Sequence, residues 1–128
     1  MAHWHGISRR KPTGGRLKRP NRYRGKRRTE IAAEKQFTMI GAPRRKLYRK
    51  RSGIQTVRVL YEDSVNVASK DGSVTKAKLL TVSSNPADPN YVRRNILTKG
   101  AIVETDEGEV RITSRPGSHG VINGVKNE

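Results

Sequence analysis

From residue 54 onward the chain alternates apolar and polar side chains with the two-residue period of a β-strand. Val57, Val59 and Tyr61 fall on one face of the first run, with Thr56, Arg58 and Leu60 on the other. Residues 65–67 and 74–82 read as two further strands. Between them Lys70-Asp71-Gly72-Ser73 carries Asp-Gly, the signal of a two-residue hairpin. Asn85-Pro86-Ala87-Asp88-Pro89-Asn90 predicts a turn or short helical loop, because prolines three apart cannot sit in a central strand. Residues 101–105 and 109–113 flank Asp106-Glu107-Gly108 as a second hairpin, Arg115-Pro116-Gly117 turns the chain again, and 121–125 is a last strand. Every longer apolar run is interrupted by Gly, Pro or β-branched residues, so no long helix is expected.

These elements predict a mainly β fold, a small closed or nearly closed β-barrel. Of the 26 apolar residues in 54–128, 16 are Val or Ile, whose stiff branched side chains favour strands. A core of that size is marginal, so residues 46–50 are expected to add a strand to it. Residues 1–30 differ, with six apolar side chains among them. That is too few to offset the entropy of ordering the segment alone in water. The expected organisation is a long, basic, irregular N-terminal extension, residues 1–30. It is followed by a barrel domain, residues 31–128, that includes the basic strand or loop 44–53.

Charge sharpens this picture. The 128 residues carry 28 Lys+Arg against 11 Asp+Glu, a net +17. Residues 1–53 hold 18 of the cations and two acids, Glu30 and Glu34, so +16 of the excess precedes Ile54. A charge so concentrated implies a polyanionic partner. The length suits one domain with tails, and no run approaches the roughly 18–20 apolar residues of a membrane span. The absence of Cys excludes a disulfide scaffold, a cysteine-ligated zinc site and a thiol nucleophile.

Residues 1–28 hold eleven cations and no acid. Gly6, Pro12, Gly14, Gly15, Pro20 and Gly25 break any continuous basic helix, which argues against a membrane-surface helix or a transit peptide. An extended chain of this kind suits a folded RNA. Arg9, Arg10, Lys11, Arg16, Lys18 and Arg19 would meet phosphates, as would Arg22, Arg24, Lys26, Arg27 and Arg28. Gly14 and Gly15 would let the backbone approach closely, with Thr13 beside them as a further RNA-binding candidate, and Trp4 and Tyr23 could stack on unpaired bases. A second cluster packs Arg44, Arg45, Lys46, Arg49, Lys50 and Arg51 into eight residues. Alternating cations cannot lie in a fully buried strand, so this segment is an edge strand or a projecting hairpin. On the otherwise balanced domain, Arg93, Arg94 and Arg115 are the candidates for further RNA contacts, with pairing to Glu104 or Asp106 as the alternative.

No catalytic constellation emerges. His3 and His5 stand two apart, and His119 lacks a partner of the kind general acid–base chemistry needs. Asp106, Glu107 and Glu109 read as a solvated hairpin tip, not a metal site. No enzyme, cofactor or metal is expected.

At this point a resemblance carries further. Arg9-Arg10-Lys11-Pro12-Thr13-Gly14-Gly15-Arg16 resembles the opening of the ribosomal small-subunit protein eight family of archaea and eukaryotes. Arg24-Gly25-Lys26-Arg27-Arg28-Thr29-Glu30-Ile31 is similar to its second signature, although Thr29 and Ala32 depart from the common residues. Asn85-Pro86, the run from Tyr91-Val92-Arg93-Arg94 to Lys99-Gly100-Ala101, and Thr113-Ser114-Arg115-Pro116-Gly117 resemble its C-terminal half, in the same order and at archaeal length. The resemblance implies a structural protein of the cytoplasmic small ribosomal subunit, with a β-barrel and an rRNA-binding extension. Its implied partners are small-subunit rRNA and neighbouring ribosomal proteins, with no membrane, small-molecule substrate or homo-oligomer. A free-standing RNA-binding ribosome-assembly factor is the alternative.

Overall fold

The computed structural model describes residues 3–4, 10–18, 27–32 and 34–127. The chain forms two compact units, Met1–Lys35 and Gln36–Glu128. In the first, β1 (His3–Trp4) pairs antiparallel with β2 (Ile31–Ala32), and a 3-10 turn at Arg28–Glu30 leads into β2. Arg10 and Arg16 bridge across a tight turn. Within it the Gly14 N–H donates to the Lys11 carbonyl at 2.9 Å and the Lys11 N–H to the Gly15 carbonyl at 2.8 Å. Gly14 has φ +85°, which glycine adopts without a Cβ clash.

The second unit is a barrel joined to a four-stranded sheet. Its elements are β3 (Thr38–Ile40), β4 (Arg44–Arg49), β5 (Gln55–Glu62), β6 (Ser64–Ala68) and β7 (Val74–Ser84). Helix α1 (Pro89–Arg93), β8 (Ile96–Leu97), β9 (Ile102–Thr105), β10 (Gly108–Ile112), α2 (Pro116–His119) and β11 (Asn123–Lys126) complete it. The strands β10-β11-β6-β7-β9 close the expected barrel. All its pairings are antiparallel except that of β11 with β6.

Closure follows from the alternation. Val65, Val67, Ala77, Leu79, Val82, Val103, Val110 and Ile112 point inward and are buried, while Asn66, Lys76, Lys78, Glu104 and Arg111 face outward. Each buried aliphatic side chain contributes roughly 1.5–3 kcal/mol. Space where β11 meets β10 is tight. A Cβ on Gly124 would clash with Val110 Cγ1 and lie 3.0 Å from the Arg111 carbonyl oxygen, so only glycine closes the barrel there.

Three details differ from the sequence reading. The Asp71-Gly72 hairpin has a three-residue loop: Gly72 N–H bonds the Ser69 carbonyl at 3.1 Å, Ser69 N–H bonds Ser73 at 2.9 Å, and Gly72 has φ +82°. A type I turn followed by a left-handed glycine satisfies the strand twist as well as the two-residue form does. The last strand begins at Asn123, because α2 and the turn after Gly120 occupy the chain before it. The basic segment forms a strand, but it lies in the sheet β4-β5-β3-β8 and not in the barrel. A barrel strand needs one apolar face, whereas in β4 only Tyr48 is even half-buried.

Two asparagines anchor the second sheet to the barrel. Asn85 is buried, donates Nδ2–H to the Ile96 carbonyl at 3.2 Å, and accepts from Thr98 Oγ1 and the Ala87 N–H, each at 3.0 Å. Asn95 takes φ 49° at the end of the α1 turn, and its Oδ1 accepts from the Val82 N–H at 3.4 Å. The bulges of β7 at 79–81 and 82–84 bend that strand toward them.

Candidate nucleic-acid interface

The β4–β5 hairpin gathers the densest described charge. It is closed by the same turn as residues 11–15 and 69–73. Gly53 N–H bonds the Lys50 carbonyl at 3.0 Å, Lys50 N–H bonds Ile54 at 2.8 Å, and Gly53 has φ +82°. This turn fixes the register, setting Arg49 opposite Gln55, Tyr48 opposite Thr56, Leu47 opposite Val57, Lys46 opposite Arg58 and Arg45 opposite Val59. Arg44, Arg45, Lys46, Arg49, Lys50 and Arg51 are all exposed. Leu47 and Ile54 are exposed beside them, at 63% and 64%.

Lys46 opposite Arg58 is a like-charge cross-strand pair, which costs stability in isolation. The ring of Tyr48 eases the repulsion: Lys46 Nζ lies 5.1 Å and Arg58 Cζ 4.9 Å from its centroid. The Tyr48 hydroxyl donates to Gln36 Oε1 at 2.7 Å. Desolvation raises the pKa of this phenol, but hydrogen bonding with Lys46 and the charges of Lys46 and Arg58 outweigh it and hold it below its ordinary 10.0. The local potential is strongly positive. Arg58, absent from the sequence reading of the site, belongs to this cluster. Its signal was the strand alternation, once the turn fixes the register.

Not every cation here is available to a ligand. Arg45 Nε and a terminal guanidinium nitrogen donate to Glu62 Oε2 at 3.2 and 3.1 Å. Glu62 is 6% exposed, so its charge requires that partner. Arg45 therefore ties the hairpin to the core. Arg93 and Arg94 are exposed at the end of α1, and Arg94 Cζ lies 5.5 Å from the Phe37 ring centroid rather than against Glu104 or Asp106. Arg115 is exposed before α2, where its backbone N–H donates to His119 Nδ1 at 3.1 Å. That bond gives His119 a structural role.

In the first unit Lys11, Thr13, Gly14, Gly15, Arg16 and Lys18 are exposed around the 11–15 turn, and the Arg10 guanidinium donates to the Gly14 carbonyl at 3.0 Å. Arg27 and Arg28 are exposed, with the Arg27 N–H donating to Glu30 Oε2 at 3.4 Å. Trp4 pairs through its backbone in β1. Arg9, Arg19, Arg22, Tyr23, Arg24 and Lys26 lie outside the described residues. The acids at the second hairpin tip meet separate donors: Asp106 Oδ1 accepts from the Lys78 N–H at 2.9 Å and Glu107 Oε2 from Thr75 Oγ1 at 2.8 Å. No group of three or more potential metal ligands occurs among the described residues.

A near-neutral barrel with a cationic two-stranded arm defines a small basic β protein whose exposed chemistry is dominated by charge. Comparison with known proteins makes the class particular. The model of the family described as ribosomal protein S8e matches residues 4–126, and the chain belongs to that family. It is 51% identical to the small ribosomal subunit protein eS8 of Methanospirillum hungatei and 50% identical to that of Methanosphaerula palustris, each over 95% of this chain and 96% of the relative. The protein of the same name from Halobacterium salinarum is 45% identical over 96% of each chain. The family is one of structural ribosomal proteins, not of enzymes.

Proposed function

We propose that this chain is a structural constituent of the small ribosomal subunit that binds and braces small-subunit rRNA during translation in the cytoplasm. Family membership and relatives named as small-subunit proteins support the subunit. The observation that carries the RNA is the hairpin, where cations on both strands, including a like-charge pair, stand exposed side by side. A polyanion seated on the hairpin relieves such repulsion.

In this reading residues 1–30 are the extension that follows phosphates, and residues 31–128 are the barrel domain that fixes orientation. Arg9–Arg28 and the 44–51 segment neutralise converging phosphates, so that RNA helices approach one another without repulsion. Arginine forks can bridge two phosphates, and lysines act as point charges. Arg93, Arg94 and Arg115 add contacts outside the hairpin. Specificity comes from RNA shape, since A-form helices hide base edges in a narrow major groove. Neighbouring ribosomal proteins complete the surroundings.

Sedimentation of native lysate tests this. The chain should travel stoichiometrically with small subunits and remain through a moderate-salt wash. Recovery only in RNA-free fractions overturns the proposal, and substoichiometric presence on mature subunits points instead to an assembly factor.

A further inference from the structure

A cleft of about 220 Å³ opens between β3, β8 and α2. We propose that it seats a single unpaired nucleotide of the bound RNA, the base against Phe37 and the phosphate toward Arg115 and Lys99. The inference rests on the RNA-binding reading above and gives it a specific subsite.

Size and chemistry select this occupant. Sites for drug-sized ligands run to roughly 300–1,000 Å³, so this cleft suits one base rather than a larger molecule. Phe37, Leu97 and Pro116 supply apolar walls, Lys99 and Arg115 supply two cations, and no carboxylate lines the cleft among the described residues. A peptide side chain could use the apolar walls alone, but a nucleotide uses walls and cations together. The Phe37 ring is held in place by Tyr91, 5.2 Å away at 57°, and by Arg94. An aromatic fixed in this way offers stacking without first being ordered.

The polar groups of the lining are also committed in useful directions. Thr98 gives its hydroxyl proton to Asn85 Oδ1 at 3.0 Å, which leaves its oxygen to accept from a base amino group. Gln36 Oε1 is taken by the Tyr48 hydroxyl, which leaves the Gln36 amide NH₂ to donate. The α2 turn that carries Ser118 is fixed by the bond from the Arg115 N–H to His119 Nδ1 at 3.1 Å. One acceptor, one donor and a hydroxyl of either kind match base edges without selecting one base strictly.

Amide NMR of the full chain tests the seat, with uridine monophosphate, adenosine monophosphate, uridine and inorganic phosphate as probes. Both nucleotides should shift the Phe37, Thr98 and Ser118 signals saturably, and inorganic phosphate at equal concentration should leave Phe37 and Thr98 unmoved. Phe37→Leu should weaken nucleotide binding at least about fivefold, the lower end of what loss of one base–aromatic stack costs. Arg115→Gln should weaken the nucleotides while leaving uridine unchanged. Equal responses to phosphate and nucleotide, or nucleotide shifts confined to residues 1–30 and the hairpin, overturn the proposal. If Phe37→Leu does not fold, the wild-type comparison of uridine with phosphate decides. Sedimentation with small-subunit rRNA on the same sample separates the two readings. A chain that binds RNA while its cleft ignores nucleotides loses this subsite only, and a chain that binds no RNA loses the function proposed above.

Discussion

Replacing Arg44, Lys46, Arg49 and Lys50 together by Gln removes four exposed hairpin cations while sparing Arg45, whose guanidinium holds the buried Glu62. If each of the four meets a phosphate, the slope of log affinity against log salt should fall by about 3, at roughly 0.7–0.9 per contact. Over a fourfold rise in salt the wild-type chain should then lose about 60-fold more affinity than the variant. Filter binding to whole small-subunit rRNA across a potassium chloride series measures both slopes, with the extension intact in each chain. Folding should be nearly unaffected. Removing Lys46 relieves its repulsion with Arg58, about 0.2–1 kcal/mol, and forfeits its contact with Tyr48, about 0.5–1 kcal/mol, so the two effects nearly cancel. A thermal midpoint within about 4 °C of wild type is expected. A slope change smaller than about 1 in a folded variant refutes the assignment of the hairpin to phosphate.

Three further outcomes concern the scaffold and its charge. Asn85→Ala strands the buried Ile96 carbonyl and removes the acceptor of the Thr98 hydroxyl, and should cost about 1–3 kcal/mol in urea unfolding; a loss under about 0.5 kcal/mol contradicts its anchoring role. Gly124→Ala forces a Cβ against Val110 and the Arg111 carbonyl and should destabilise by at least about 1–3 kcal/mol, whereas an unchanged midpoint means the barrel is looser than the geometry implies. Tyr48 has a folded-state pKa below its unfolded value near 10.0, so the folded state gains stability as pH rises through the folded pKa toward 10.0, and gains nothing from it at neutral pH. Phenolate absorbance, compared between wild type and Tyr48→Phe, reads that titration directly; a Tyr48 transition at or above the denatured value rejects the cationic environment.

Legibility in the sequence followed how local the determinants were. Strands β6 and β7 announced themselves because inward Val, Ala and Leu alternate with outward Asn and Lys over five or more residues. The short strands Thr38–Ile40 and Ile96–Leu97 did not, since two or three residues cannot display a period. Ile96–Leu97 is placed by Asn85 and Asn95, through bonds that span 11 to 13 positions in the chain, and Thr38–Ile40 by the Thr38 hydroxyl, which donates to the Val59 carbonyl at 2.6 Å. Candidate phosphate contacts were visible as charge, but their division of labour was not. Only the register shows that Arg45 has an internal partner while Lys46 faces another cation. The cleft was the least visible feature, because its walls come from three separated segments.

The hairpin's placement explains how so much repulsion coexists with a stable fold. Strand β5 belongs to both regions: from Gln55 to Tyr61 it pairs with the cationic β4, while Val59 is 1% and Glu62 6% exposed within the core. A cationic segment on a flexible linker would have to be ordered each time RNA binds, at about 1–2 kcal/mol per residue of backbone. On β5 that ordering is supplied in advance by the burial of Val59 and by the Arg45–Glu62 pair. The like-charge pair Lys46–Arg58 costs at most about 1 kcal/mol, less than the ordering of a single residue or two. Preformed display of repelling charges is therefore the less expensive arrangement for meeting a dense, preformed array of phosphates, as the proposed function requires.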